Sequence, residues 1–150
     1  GVLTATSPVL ITPAIGVATG ASLAVTAGLT SSGPTGAGLG YATGAGGAVT
    51  QATNRSTGVT LSKLTGAITT DATSLAAGAE ATFTVTNTTV AVGDVVVVSA
   101  RSGQTAATSI PAVTAVAAGS FDITLTNLSA ATADTGAMII NFAVIKAVSA

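Results

Sequence analysis

From Val49 onward, apolar and hydroxyl side chains alternate with a period of two, and a chain patterned this way is directed into β-structure. In Thr82-Phe83-Thr84-Val85-Thr86, Phe83 and Val85 point to one face and three threonines to the other. Phe121, Ile123 and Leu125 do the same against Asp122, Thr124 and Thr126. Val59-Thr60-Leu61-Ser62 also alternates, and Gly66 is expected to separate it from Ala67-Ile68-Thr69-Thr70. Turn residues recur between these runs at the spacing of a sandwich or barrel. Gly, Thr and Val are poor helix formers, and no stripe of helical period competes with the strands.

The two clearest strands echo one another. Ala76-Ala77-Gly78 leads to Thr84-Val85-Thr86-Asn87, and Ala117-Ala118-Gly119 leads to Thr124-Leu125-Thr126-Asn127. The halves of the echo are offset by one residue, which reads as two similar strand entries rather than a solenoid repeat. Two other segments break the alternation. Val95-Val96-Val97-Val98 and the run from Met138 to Ile145 are apolar on both faces. Such strands are either central, with both faces covered, or lie at a subunit interface.

A length of 150 residues suits one domain. Val, Ile, Leu and Phe together make up about a quarter of the chain, above the roughly 20% below which disorder is the default. The net charge of −1 adds no self-repulsion. The chain is therefore expected to fold, around a thin core, because aromatic residues are only 3%. With 6% charged residues it is also expected to associate with other chains and to draw part of its stability from them.

Chemistry-bearing residues are scarce. No charged residue precedes Arg55, and the chain has no His, Cys or Trp, four Lys/Arg and five Asp/Glu. Catalysis needs acids, bases, nucleophiles or metal ligands held close together. Asp71, Glu80, Asp94, Asp122 and Asp134 are spread along the sequence with no spacing that suggests a glycosidase pair. A triad or metal-bound water lacks its usual His, and no loop has the EF-hand pattern. Asp71 and Asp94 fall at strand borders, where carboxylates commonly bond local backbone N–H groups. No residue is assigned a catalytic, cofactor-binding or metal-binding role, and no enzymatic activity is expected.

Other motifs read as structural. Arg55, Lys63, Arg101 and Lys146 are too dispersed to track a phosphate backbone, so no nucleic-acid partner is expected. Three sequons, at Asn54, Asn87 and Asn127, arise readily in a chain rich in Ser and Thr. Gly44-Ala45-Gly46-Gly47 lacks the Lys-Ser/Thr of a P-loop and reads as a flexible turn. Thr82, Thr84 and Thr86 would fit one rung of an ice-binding surface, but such rungs must recur at constant period and these do not.

Residues 1–39 read as an extended N-terminal arm. Pro8, Pro13 and Pro34 interrupt it, Thr30 to Gly36 is a loop signal, and Ser22-Leu23-Ala24-Val25-Thr26 could add a strand. The alternative is an N-terminal segment packed within the same domain. Val9 to Leu29 has 21 uncharged positions, long enough to span a bilayer. Pro13, Gly16, Gly20, Gly28 and the interspersed Thr and Ser argue against a spanning helix. No Lys/Arg flank sets an orientation, and no basic n-region marks a secretory leader. No membrane partner is expected.

Several blocks together resemble a β-domain that recurs in virion proteins of tailed bacteriophages. They are Gly40-Tyr41-Ala42-Thr43-Gly44-Ala45-Gly46-Gly47-Ala48-Val49-Thr50-Gln51 and Ser56-Thr57-Gly58-Val59-Thr60-Leu61-Ser62-Lys63. Gly66-Ala67-Ile68-Thr69, Leu75-Ala76-Ala77-Gly78 and Phe83-Thr84-Val85-Thr86-Asn87 follow. Asp94 to Val98 and Ile140-Asn141-Phe142-Ala143-Val144-Ile145-Lys146 complete the series. The order of blocks is more specific than any one of them, and residues 1–39 fall outside it.

The resemblance implies a virion structural role and carries no catalytic residues. The expectation is an all-β sandwich over residues 40–150, with a jelly roll as its finer version and residues 1–39 as the arm. Its expected role is that of a head decoration (cement) protein on the capsid surface. The expected partners are the major capsid protein and further copies of the chain itself, with a trimer as the guessed order. A tail or fibre component is the alternative, followed by a bacterial surface or pilus-type subunit.

Overall fold

The computed structural model describes residues 39–41, 44–105 and 108–147. The expected arm at 1–39 and the apolar run Val9 to Leu29 lie, but for Leu39, outside the described residues. Among the described residues no helix is long and apolar enough to cross a membrane. The described chain is all-β, as expected. Its strands are β1 (Gly46–Thr50), β2 (Val59–Thr60), β3 (Thr65–Thr69), β4 (Glu80–Thr86), β5 (Val95–Ser102), β6 (Ser109–Ala117), β7 (Ser120–Asn127) and β8 (Ile139–Ile145).

They form two four-stranded sheets, sheet A in the order β1-β3-β8-β5 and sheet B in the order β2-β4-β7-β6. The first four strands alternate between the sheets, so β3 lies parallel to β1 and β4 parallel to β2. The remaining pairings are antiparallel. A jelly roll is built from antiparallel Greek keys, and the two parallel pairs depart from that pattern.

Period-two alternation supplies the core. β4 buries Ala81, Phe83 and Val85, and β7 buries Phe121, Ile123 and Leu125. Sheet A answers with Ile68, Val96, Ile140, Phe142 and Val144. Phe121 of β7 and Phe142 of β8 meet across the two sheets at 5.4 Å between ring centroids, tilted by 54°. A pair in this geometry contributes about 0.5–1.5 kcal/mol beyond its area burial.

The doubly apolar segments resolve in two different ways. β8 is central, between β3 and β5. β5 is an edge strand, with Val96 buried while Val95 and Val97 remain about half exposed.

Two glycine readings need correction. Gly66 lies inside β3 and does not separate strands, because its missing side chain is what lets the core close. A Cβ there would stand 2.8 Å from Leu61 Cδ2 and 2.9 Å from both Phe142 Cε1 and the Gly47 carbonyl oxygen. Gly46 and Gly47 likewise belong to β1 rather than to a turn, and a Cβ on Gly47 would sit 2.9 Å from Leu61 Cδ1. Facing glycines in β1 and β3 thus make room for Leu61.

The echo is a reciprocal lock between neighbouring strands. The Gly78 N–H donates to the Asn127 carbonyl, and the Asn127 N–H to the Ala79 carbonyl. At the other end of the β4–β7 pair, the Asn87 N–H donates to the Gly119 carbonyl. Gly78 and Gly119 have φ of 71° and 79°, which turns the chain into each strand without the Cβ clash an L-residue would meet.

Where the 103–104 and 136–137 segments cross, backbone meets backbone. A Cβ on Gly103 (φ +92) would lie 2.0 Å from the Ala137 carbonyl oxygen. A Cβ on Gly136 would lie 1.9 Å from the Gly103 oxygen. Gly78 is the natural control, with a similar positive φ but nothing within 4 Å of its Cβ position. Gly78→Ala should cost about 1–2 kcal/mol, the left-handed backbone term alone. Gly103→Ala should cost clearly more, because rigid backbone on both sides prevents relaxation. Urea unfolding of the two variants beside the parent checks the difference.

Candidate interaction surface

Most polar side chains that enter the interior bond to backbone. Asn87, fully buried, donates to the Lys63 carbonyl at 2.7 Å and accepts from the N–H and hydroxyl of Thr89. Asn127, also buried, donates to the carbonyls of Leu75, Ala76 and Thr132 and accepts from the Ser129 N–H. Two of the three sequons are therefore buried anchors of turns, with no access for a glycan. The third, Asn54, is exposed and accepts from the Ser56 N–H and the Thr57 hydroxyl.

Arg55 and Asp134 form a buried ion pair, Nη2 to Oδ1 at 3.6 Å, that spacing in the sequence did not reveal. Arg55 also donates to the carbonyls of Thr73, Asp134 and Gly136. Asp134 accepts from the N–H groups of Thr105 and Gly136. Four loop segments thereby meet at one ion pair. Burial alone would push the Asp134 carboxyl up. The nearby Ser109 hydroxyl (which completes no hydrogen bond), the two N–H donors and Arg55 outweigh it and hold the group below its ordinary 3.8.

The other acids act locally. Asp94 accepts from Lys146 and from the Ala91 and Ala147 N–H groups, which together lower its pKa. Asp71 accepts from the Thr73 hydroxyl and N–H, with the same effect. Both match the expected role of carboxylates at strand borders. Asp122 accepts from Thr84, and Glu80 from Thr126, on the outward face of sheet B. Among the described residues no cavity opens, and no three or more acidic or metal-ligating side chains cluster.

What the fold does assemble is a pair of contrasting faces. The outward face of sheet B is hydroxyl-rich, with Thr60, Thr82, Thr84, Thr86, Thr124 and Thr126 around Glu80 and Asp122. Its hydroxyls bond to one another, Thr82 to Thr124 at 2.8 Å and Thr114 to Thr124 at 3.0 Å. The outward face of sheet A carries no charge through its registered rows. One row runs Gly46, Thr65, Ala143, Val97, and the next runs Ala48, Ala67, Asn141, Ser99. Thr50, Thr69 and Ile139 extend it on one side, and the pair Ile145 and Val95 on the other.

The exposed large apolar side chains of β5 and β8, Val95, Val97 and Ile145, all lie on this face, and Val92 is exposed in the turn before β5. Soluble surfaces normally intersperse charges; an uncharged face with an apolar margin has the character of an interface. Val95 to Val98 stand out in the sequence, but only the strand registers gather small uncharged residues from β1 and β3 on the same face.

No known family model, curated protein or solved structure matches this chain.

The Arg55–Asp134 pair yields a pH prediction. A carboxyl whose folded pKa is depressed stabilises fully above its unfolded value and loses that contribution as pH falls through the folded value. Stability should therefore decline as pH falls below the ordinary carboxyl value of 3.8 and on through the lower folded values of Asp71, Asp94 and Asp134. Asp134→Asn, which strands Arg55 in the interior, should cost roughly 3–5 kcal/mol at neutral pH. It should also flatten the acid limb of the stability curve. Denaturant titrations of both proteins from neutral to acid pH measure each effect.

Proposed function

We propose that this chain is a bacteriophage virion structural protein, a head decoration (cement) protein that binds and stabilises the capsid shell. The uncharged outer face of sheet A is the observation that carries the reading, and the ordered blocks from Gly40 to Lys146 support it. In this reading the sheet A face lies against the major capsid protein. The hydroxyl-rich face of sheet B, with Glu80 and Asp122, meets solvent. Copies of the chain sit across junctions between capsid subunits, a trimer being the expected order.

The mechanism is mechanical. A stable interface buries about 1,200–2,000 Å², and contacts repeated around a shell multiply a modest single-site affinity. The added buried area resists outward pressure from packaged DNA. Registered rows without charges, with only Arg101 at the β5 bulge beside them, give an attachment that salt screens little.

The test is binding of the purified protein to capsids of its phage that lack it. Binding should saturate and persist as ionic strength rises. Ala67→Glu places a charge at the centre of the sheet A face and should weaken binding at least about tenfold, equivalent to 1.4 kcal/mol. Thr86→Glu, on sheet B, should leave binding unchanged. Release by moderate salt, or equal loss in both variants, would overturn the reading.

A further inference from the structure

The two sheets present four edges, and three of them carry features that block pairing with another chain. β2 is only two residues long. β6 carries Pro111, which has no N–H to donate, and a register shift between Val113 and Ala115. β1 is a five-residue strand that opens on two glycines, with the Lys63 ammonium reaching the Gly44 carbonyl at its entry. Short edge strands, lysines, prolines and bulges are the usual devices by which sheets avoid edge-to-edge association.

β5 lacks all of them over its first five residues. Val95-Val96-Val97-Val98-Ser99 pairs regularly with β8 on one side, and the register shift comes only between Ala100 and Ser102. The other side has no partner strand among the described residues. Val95 and Val97 stand about half exposed beside it, and no charge interrupts the stretch.

We infer that β5 is a self-association edge, and that its occupant is β5 of a second copy of this chain, paired antiparallel about a two-fold axis. Under such an axis the same five residues face one another. One Lys or Asp near the middle would oppose its own copy, and like charges directly opposite are destabilising. An uncharged run escapes that conflict and joins two four-stranded sheets into one of eight. Val95 and Val97 of both copies then line up along the seam, and the two sheet A faces become continuous. A two-fold seam of this kind closes a dimer, so the inference puts an order of two in place of the trimer expected above. It rests on the four edges, however, and holds whatever the chain binds.

The experiment uses the purified full chain without capsids, so its outcome is separable from the capsid reading. Sedimentation velocity over a concentration series should show a mass twice that of the monomer. Val97→Lys should weaken dimerisation at least about tenfold, with an unchanged far-ultraviolet circular dichroism spectrum. Ala112→Lys, which puts the same charge on the guarded β6 edge, should dimerise as the parent does. A parent protein that stays monomeric, or a Val97→Lys variant that dimerises as well as the parent, overturns the inference. Should Val97→Lys fail to fold, hydrogen exchange of the parent decides. The Val95 to Ser99 amides must become more protected as concentration rises, and concentration-independent exchange overturns it.

Discussion

The sandwich depends on closing two sheets whose side chains are mostly small. Three phenylalanines, Phe83, Phe121 and Phe142, are its largest core pieces, and the contact of Phe121 with Phe142 joins the central strands of the two sheets. Space around Phe142 and Leu61 exists because Gly47 and Gly66 contribute no side chain there. A thin core is made to close by removing atoms at the right places as much as by adding them. Packing density inside proteins leaves little tolerance for a methyl group placed between rigid neighbours.

With the interior committed to apolar contacts, polar residues serve the backbone. Asn87 and Asn127 hold loops at opposite ends of the β4–β7 pair, Gln51 bonds the carbonyls of Arg55 and Thr57, and Arg55 gathers three more carbonyls around its pair with Asp134. These bonds prevent buried backbone groups from going unpaired, which costs more than the bonds themselves contribute. The few charges of the chain are largely spent on turns. The registered rows of the outer face of sheet A are left without any, with Arg101 exposed at the β5 bulge beside them, and this division links the architecture to the proposed docking role.

Much of the fold is legible in the sequence because alternation is a local signal. Phe83 and Val85, and Phe121, Ile123 and Leu125, take the buried faces that their spacing assigns. Gly66 is not legible in this way, because a glycine inside a strand and one between strands look the same until Leu61 and Phe142 are placed beside it. The Arg55–Asp134 pair joins residues far apart in the chain, and only the tertiary path brings them together. The uncharged face was hidden for a related reason. Gly46, Ala48, Thr65 and Ala67 are unremarkable singly, and their joint surface exists only through the parallel β1–β3 register.

The copy number of this chain in purified phage particles, relative to the major capsid protein and measured by quantitative mass spectrometry, tests the central claim most directly. The account predicts a ratio approaching parity, as expected of a protein that covers the shell. A trace ratio would place the chain in the tail or a fibre, and absence from particles would contradict a virion role altogether.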